Sequence, residues 1–140
     1  MTARVNKQTT TVKQDIIFSD FFNDFTKHPF STSLSIIKNE NSVKQALRNI
    51  IFTNFNERLY NPNFGGNINN FLFEPMNNFT YDAMKESIQN TIQNYEPRVV
   101  DSNIVITPID EFNSIKINIY FTLLNSNQVS DLEIILKRVR

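Results

Sequence analysis

The chain has no cysteine and no tryptophan among its 140 residues, a single histidine and only two glycines. Without cysteine there is no disulfide framework and no thiolate metal site. His28, beside Pro29, lacks the partners that a catalytic or metal-binding imidazole needs, and reads as structural or exposed. Gly65-Gly66 has neither a following lysine nor a preceding strand, so it is not a phosphate loop. No cofactor is expected. Charge of one sign is not in excess: 14 Lys+Arg stand against 14 Asp+Glu. That balance argues against a general nucleic-acid binder. No apolar run approaches a membrane span. The first residues lack the apolar core of a signal peptide, so assembly in a cytoplasm is expected.

What remains is a chain of one-domain length, able to bury its apolar surface without staples. Residues 1–14 are polar, with a threonine run from Thr9 to Thr11, and read as a mobile arm. In residues 15–25, Ile17, Phe18, Phe21, Phe22 and Phe25 fall at helical spacing. They either pack on the domain's own core or dock against a neighbour. His28-Pro29 ends this stretch, and residues 31–37 read as an extended lead-in. The expected division is an arm over 1–40 and a domain over 41–140.

The first helix is expected near Asn41 or Ser42, both good caps, with Val43, Ala46, Leu47, Ile50 and Ile51 on one face. An Asn-rich link follows. A short helix over 67–73 points Ile68, Phe71 and Leu72 inward and is stopped by Pro75. Thr80 is the expected cap of a third helix with Tyr81, Met84, Ile88, Ile92 and Tyr95 in line, ended by Pro97. Val99-Val100 and Ile104-Val105-Ile106 predict a bulged strand closed by Pro108. Ile115, Ile117, Ile119, Phe121 and Leu123 alternate strictly with polar neighbours, which predicts a strand with one buried face. A turn at Asn125-Ser126-Asn127 leads to a last strand in which Leu132, Ile134 and Leu136 alternate and Ile135 breaks the pattern. The expected class is α+β: N-terminal helices followed by a small antiparallel β-sheet of three to four strands.

Two segments bracket the third helix: Phe64-Gly65-Gly66 with Leu72-Phe73-Glu74-Pro75, and Tyr95-Glu96-Pro97-Arg98. A chain that avoids glycine elsewhere uses Gly65 and Gly66 for positive φ or a close approach. Arg98 offers a two-pronged hydrogen-bond donor for a carboxylate. It either bonds Glu74 or Glu57 internally, or forms an exposed pair with Glu96 that grips a partner. The last strand is late in the chain and expected near a sheet edge, where unpaired N–H and C=O groups can accept another strand. Either it is an ordinary edge, kept soluble by Lys137-Arg138-Val139-Arg140, or it is a docking edge.

Thr53 with Glu57-Arg58, Pro62-Asn63-Phe64-Gly65, Leu72-Phe73-Glu74-Pro75 and Tyr95-Glu96-Pro97-Arg98 occur here in one order and spacing. In this the chain resembles the small baseplate wedge subunit of contractile-tail phages, also called the sheath initiator or lysozyme-like tail protein, and its counterpart in the type VI secretion baseplate. The resemblance runs from about Asn41 to the C-terminus. It departs at Asn56, where the family has glycine; asparagine is the next most tolerant residue for left-handed backbone. The resemblance implies a structural virion protein of the tail baseplate, without enzymatic activity. It implies that Glu96, Pro97 and Arg98, with Glu57, Arg58, Phe64, Gly65, Phe73, Glu74 and Pro75, contact the helical core bundle of the wedge. It also implies that Val129, Leu132, Ile134 and Leu136 belong to an edge strand that pairs with the tail sheath protein.

The alternative of a peptidoglycan-degrading lysozyme would use two of Glu57, Glu74 and Glu96 as a carboxylate pair. Arg58 and Arg98 lie close in sequence to Glu57 and Glu96, and a guanidinium lowers a carboxylate's pKa, the wrong direction for a general acid. Aromatic platforms for sugar are not evident. A third reading is a generic adaptor unrelated to tails.

Overall fold

The structure, a computed structural model, describes residues 17–109, 114–124, 126 and 128–137. The expected arm over 1–14, most of the turn at Asn125-Ser126-Asn127 and the tail residues Arg138, Val139 and Arg140 lie outside the described residues. The elements are β1 (Ser19–Phe21), β2 (Ile36–Lys38), α1 (Asn39–Phe52), α2 (Ile68–Phe71), α3 (Asn78–Tyr95), β3 (Val99–Ile109), β4 (Ser114–Leu123) and β5 (Val129–Lys137).

The strict alternation in β4 produces the main sheet. β3, β4 and β5 form an antiparallel meander in that order, with Ile106 opposite Ile117, Ile117 opposite Ile134 and Ile119 opposite Leu132. Because the side-chain period of a strand is two, this register puts every buried apolar residue of β4 and β5 on one face. Ile115, Ile117, Ile119 and Phe121 join Leu132, Ile134 and Leu136 there. Val43, Leu47 and Ile51 of α1, Ile68 of α2, and Met84, Ile88 and Ile92 of α3 complete the core. The result is a two-layer α+β domain, helices over one face of the sheet. The bulge expected early in β3 lies between Val99 and Asp101. Pro108 does not close that strand but sits inside it, opposite Ile115. An edge strand tolerates this because half its N–H groups have no sheet partner.

The N-terminal region departs from expectation. Two strands precede the first helix, so the order is not helices first. The stretch with helical spacing is a strand: Ser19 pairs with Lys38, Asp20 with Ile37 and Phe21 with Ile36. Phe18 alone of the predicted stripe packs against the core, while Phe21, Phe22 and Phe25 are exposed. Phe25 has φ +49°, which a continuous helix excludes. Spacing over so short a stretch cannot decide between helix and strand when a pairing segment lies nearby in the chain. His28 serves the hairpin turn, with its N–H donating to Ser33 O and its Nδ1 accepting from Phe30 N.

The helix starts also moved. α1 begins at Asn39, and neither Asn41 nor Ser42 caps it. Asn39 is used to hold the hairpin instead: its Oδ1 accepts from Ile17 N and Phe18 N, and its own N–H donates to Phe18 O. Gln45 and Asn49 continue the attachment, bonding Phe21 O and the Asn23 side chain. α3 is capped by Asn77, whose Oδ1 accepts from Thr80 N at 2.9 Å, so Thr80 is the third residue of the helix and not its cap. α2 is shorter than expected, but i→i+3 turns carry the coil on to Glu74, just before Pro75.

Candidate partner-binding site

The corner where α1 ends, the glycine pair passes and α3 stops is built from the residues of the sequence motifs. A helix end leaves its last carbonyls without partners. Here Gly66 N donates to Ile50 O and Asn67 N to Thr53 O, so the glycine segment closes the C-terminus of α1. On its other side, Thr91 Oγ1 donates to Gly65 O at 3.1 Å and Ser87 Oγ to Gly66 O at 3.0 Å. The segment is therefore clamped between two helices by its own backbone. Gly65 has φ +120°, and a Cβ there would stand 2.1 Å from Thr53 O; at Gly66 it would stand 2.9 Å from Ile51 O. Both glycines are needed for backbone shape, as the sequence suggested.

The link before the glycines is a set of turns. Asn56 takes φ +68°, the left-handed conformation that asparagine tolerates. The Glu57 carboxylate accepts from Asn54 N and Asn54 Nδ2. The Arg58 guanidinium lies 3.7 Å from the centroid of the Phe64 ring, and Phe64 packs on Tyr95 at 4.7 Å. The Tyr95 hydroxyl donates to Asn63 O.

At the end of α3 the chain turns at Pro97. Val99 N donates to Glu96 O at 3.2 Å across this turn, which brings the side chains of Glu96 and Arg98 together. Arg98 Nε donates to Glu96 Oε1 at 2.5 Å and Nη2 to Oε2 at 2.6 Å, a bidentate pair. Nη1 reaches Ser42 Oγ in α1 at 3.3 Å, and the Phe18 ring lies 5.7 Å from the guanidinium. Glu96 is 3% exposed, while Arg98 keeps a quarter of its side chain in solvent. The hydrogen bonds to Glu96, then the charges of Glu96 and Asp20, hold the Arg98 guanidinium more firmly protonated than usual. The pair thus staples the end of α3 to α1 and to the base of the hairpin. Glu57 and Glu74 are not its partners, and the pair is not displayed as an exposed grip. A nearer carboxylate, positioned by the turn itself, forms the bidentate contact.

The motif residues divide by burial. Phe64, Gly65 and Glu96 are buried and shape the corner. Glu57, Arg58, Phe73, Glu74, Pro75 and Pro97 face solvent, Phe73 with 78% of its surface. Glu96 is held by its own arginine and Glu57 by the Asn54 turn. Among the described residues no group of three His, Cys, Asp or Glu is placed to hold a metal, and no helix is long and apolar enough to cross a membrane. The hydroxyl clamps of Ser87 and Thr91, the Ser42 contact and the Tyr95 anchor were not foreseen. The usable signal for the clamps was a Ser/Thr pair four residues apart beside the apolar stripe of α3, where a hydroxyl needs a partner.

The second candidate surface is β5. It lies at an edge of the meander, and among the described residues nothing pairs with its outer side. Leu132, Ile134 and Leu136 point into the core, while Val129 and Ile135 are more than half exposed. Beside this edge, Glu40 of α1 bonds Lys44 at 2.7 Å. The Lys44 hydrogen bond, opposed by desolvation and aided by the Lys44 charge and the Ser130 hydroxyl, holds the Glu40 carboxyl below its ordinary 4.5. A depressed carboxylate stabilises the fold at pH above the unfolded value and loses that contribution as pH falls through the folded one. Thermal midpoints of the parent and Glu40→Gln should therefore differ slightly above pH 4.5 and converge in more acidic buffer.

Comparison with known proteins gives a consistent picture. Residues 38–128 match the family model described as baseplate wedge protein gp25. The baseplate wedge protein gp25 of Enterobacteria phage T4 is 29% identical over 85 residues, which cover 61% of this chain and 64% of that protein. The match thus spans just under two thirds of that relative. A crystal structure of a putative tail lysozyme from Geobacter sulfurreducens superimposes with a TM-score of 0.65 at 20% identity, covering 72% of this chain and 92% of that one. A chain of the anti-feeding prophage baseplate gives 0.60 at 17% identity, over 88% and 87% of the two chains. A chain of the type VI secretion baseplate complex gives 0.61 at 14% identity, over 71% and 93%. These three likenesses are of fold.

Proposed function

From the premise that the chain belongs to the baseplate wedge protein gp25 family, we propose that it is a non-enzymatic structural subunit of a contractile-tail baseplate, a virion component that binds the wedge core bundle and starts sheath assembly by strand pairing. The observation that carries this reading is the outer side of β5, unpaired among the described residues, in a three-stranded sheet. An open edge offers a row of backbone donors and acceptors to an incoming strand, and main-chain pairing supplies affinity without a preformed cleft.

The corner residues have two parts in this reading. Gly65, Glu96 and Arg98 hold the backbone in shape. Contact with the core bundle falls to what the corner and its neighbouring loops display: Pro97, the outer edge of Arg98, Arg58, and the exposed Phe73-Glu74-Pro75 turn. Exposed aromatic side chains on rigid turns are typical anchors of a protein interface.

Hydrogen exchange tests the edge. Amides of β5 should gain protection when the tail's sheath protein is added, and no gain would remove the strand-pairing reading. The corner is tested by Phe73→Ser, which should weaken capture of the wedge core proteins about tenfold with an unchanged thermal midpoint, since Phe73 is 78% exposed. Clearing of cell wall in a zymogram by the purified chain would overturn the non-enzymatic reading.

A further inference from the structure

The main sheet has two edges, β3 and β5, and they are not alike; the inference rests on the strand-pairing reading above for the partner of β5. Along an antiparallel strand, residues that turn N–H and C=O to one neighbour alternate with residues that turn both to the other side. Ser102 O accepts from Gln89 Nε2 of α3 at 3.3 Å, outside the sheet. Pro108, in the same phase of the alternation, has no N–H to give Ile115 opposite it. Ser102, Ile104, Ile106 and Pro108 therefore carry their backbone groups on the outer side of β3. Their partners in β4 are Phe121, Ile119, Ile117 and Ile115, which turn theirs to β5, opposite Ser130, Leu132, Ile134 and Leu136. The outer side of β5 thus carries the groups of Val129, Asp131, Glu133, Ile135 and Lys137.

These outer groups are interrupted on β3 and continuous on β5. On β3 the Ser102 carbonyl is taken by Gln89, Pro108 supplies no donor, and the bulge between Val99 and Asp101 breaks the alternation before Ser102. Only Ile104 and Ile106 keep both groups for a strand. Bulk does not close this edge: a groove of about 270 Å³ lies beside it, between Tyr81, Asp82 and Lys85 of α3 and residues 103–106. On β5 there is no proline, the register with β4 is unbroken from Val129 to Lys137, and among the described residues no side chain bonds the outer backbone groups.

We propose that the sheet takes a strand on one side only: β5 accepts it from the sheath protein through Asp131, Glu133 and Ile135, and β3 refuses a second copy of this chain because Pro108 and Gln89 interrupt its outer ladder. The refusal matters because the two edges could otherwise meet. β5 of one copy against β3 of the next is a head-to-tail contact, which yields rings or open filaments, whereas β5 against β5 closes at two chains. Proline and bulges are the usual means by which an edge strand is kept from such pairing. Closing β3 leaves the β5 edge from being consumed in a growing sheet of like chains, and so keeps it for a different polypeptide.

The test uses the full chain with Pro108→Val and Gln89→Ala combined, which restores the donor and releases the carbonyl. Light scattering of the parent should give no more than two chains, while the double variant should grow past two as concentration rises. Glu133→Pro added to the double variant removes an outer N–H of β5 without breaking the ladder to β4, and should return the mass to the parent's. A double variant no larger than the parent overturns the proposal, and so does growth that Glu133→Pro leaves untouched. A parent that itself grows past two chains with protected Ile104 and Ile106 amides overturns it as well. With sheath protein, hydrogen exchange should show new protection at Asp131, Glu133 and Ile135 of the parent and none at Ile104 and Ile106; protection at those two would show β3 to be open. If sheath protein protects neither edge, the strand-pairing reading fails and the partner named for β5 with it, while the masses still decide whether β3 is closed to a second copy.

Discussion

Gly65→Ala is expected to destabilise the protein by about 4 kcal/mol, combining the strain of a non-glycine residue at positive φ with overpacking. The added Cβ would meet Thr53 O at 2.1 Å, a backbone atom that cannot swing aside. Moving it would break the bond from Asn67 N and disturb the Gly66 N–H that closes α1 at Ile50 O. Retreat in the other direction is blocked, because Gly65 O and Gly66 O are held by Thr91 and Ser87 of α3. Since a domain of this size is stable by roughly 5–15 kcal/mol, the variant stands close to unfolding. Urea denaturation of Gly65→Ala beside Thr91→Val checks the account. The second change removes a hydroxyl shared between Gly65 O and Ser87 O and should cost about 1 kcal/mol. A Gly65→Ala protein as stable as its parent would mean that the corner is looser than the structure shows.

Glu96→Gln should cost about 3 kcal/mol, the usual order for removing one partner of a buried ion pair. The carboxylate is almost wholly out of water, and Arg98 donates to both of its oxygens. The carboxamide retains one acceptor and turns an NH2 toward a guanidinium that remains charged. Ser42→Ala removes only the third contact of Arg98 and should cost about 1 kcal/mol. A double variant, Glu96→Gln with Arg98→Met, should recover much of the loss, because the uncompensated cation goes too. Chemical denaturation of the parent, Glu96→Gln, Arg98→Met and the double variant gives the coupling directly. Equal stability of parent and Glu96→Gln would show the pair to be incidental. Loss of core-bundle binding in Arg98→Ala would then need reading beside its stability, since the residue both staples the corner and borders its surface.

The distribution of legible and illegible features follows from the range of the interactions concerned. Alternation in β4 and β5 and the apolar stripes of α1 and α3 are local patterns, and the structure keeps them with the inward faces expected. The bulge after Val99 was also visible in a few adjacent residues, and the left-handed turn at Asn56 through the family resemblance, since the family has glycine there. The hairpin was not. Its phenyl groups have helical spacing, but its backbone bonds run to Ile36–Lys38, and spacing carries no information about pairing. Caps moved for a related reason: Asn41 and Ser42 suit a helix start, yet Asn39 was taken for the hairpin and Ser42 turned inward to Arg98.

Taken alone, the sequence determined a single α+β chain, the helix and strand faces that meet in its core, two glycines kept for backbone shape, and the order of motifs that marks its family. These depend on periodicity and on steric limits of single residues, which act within a few positions. Tertiary structure decided which carboxylate holds Arg98, which motif residues are buried supports and which face solvent, and that among the described residues the outer side of β5 is unpaired. Those outcomes depend on groups from α1, α3, the hairpin and the sheet arriving at one place, and only the packed chain brings them together.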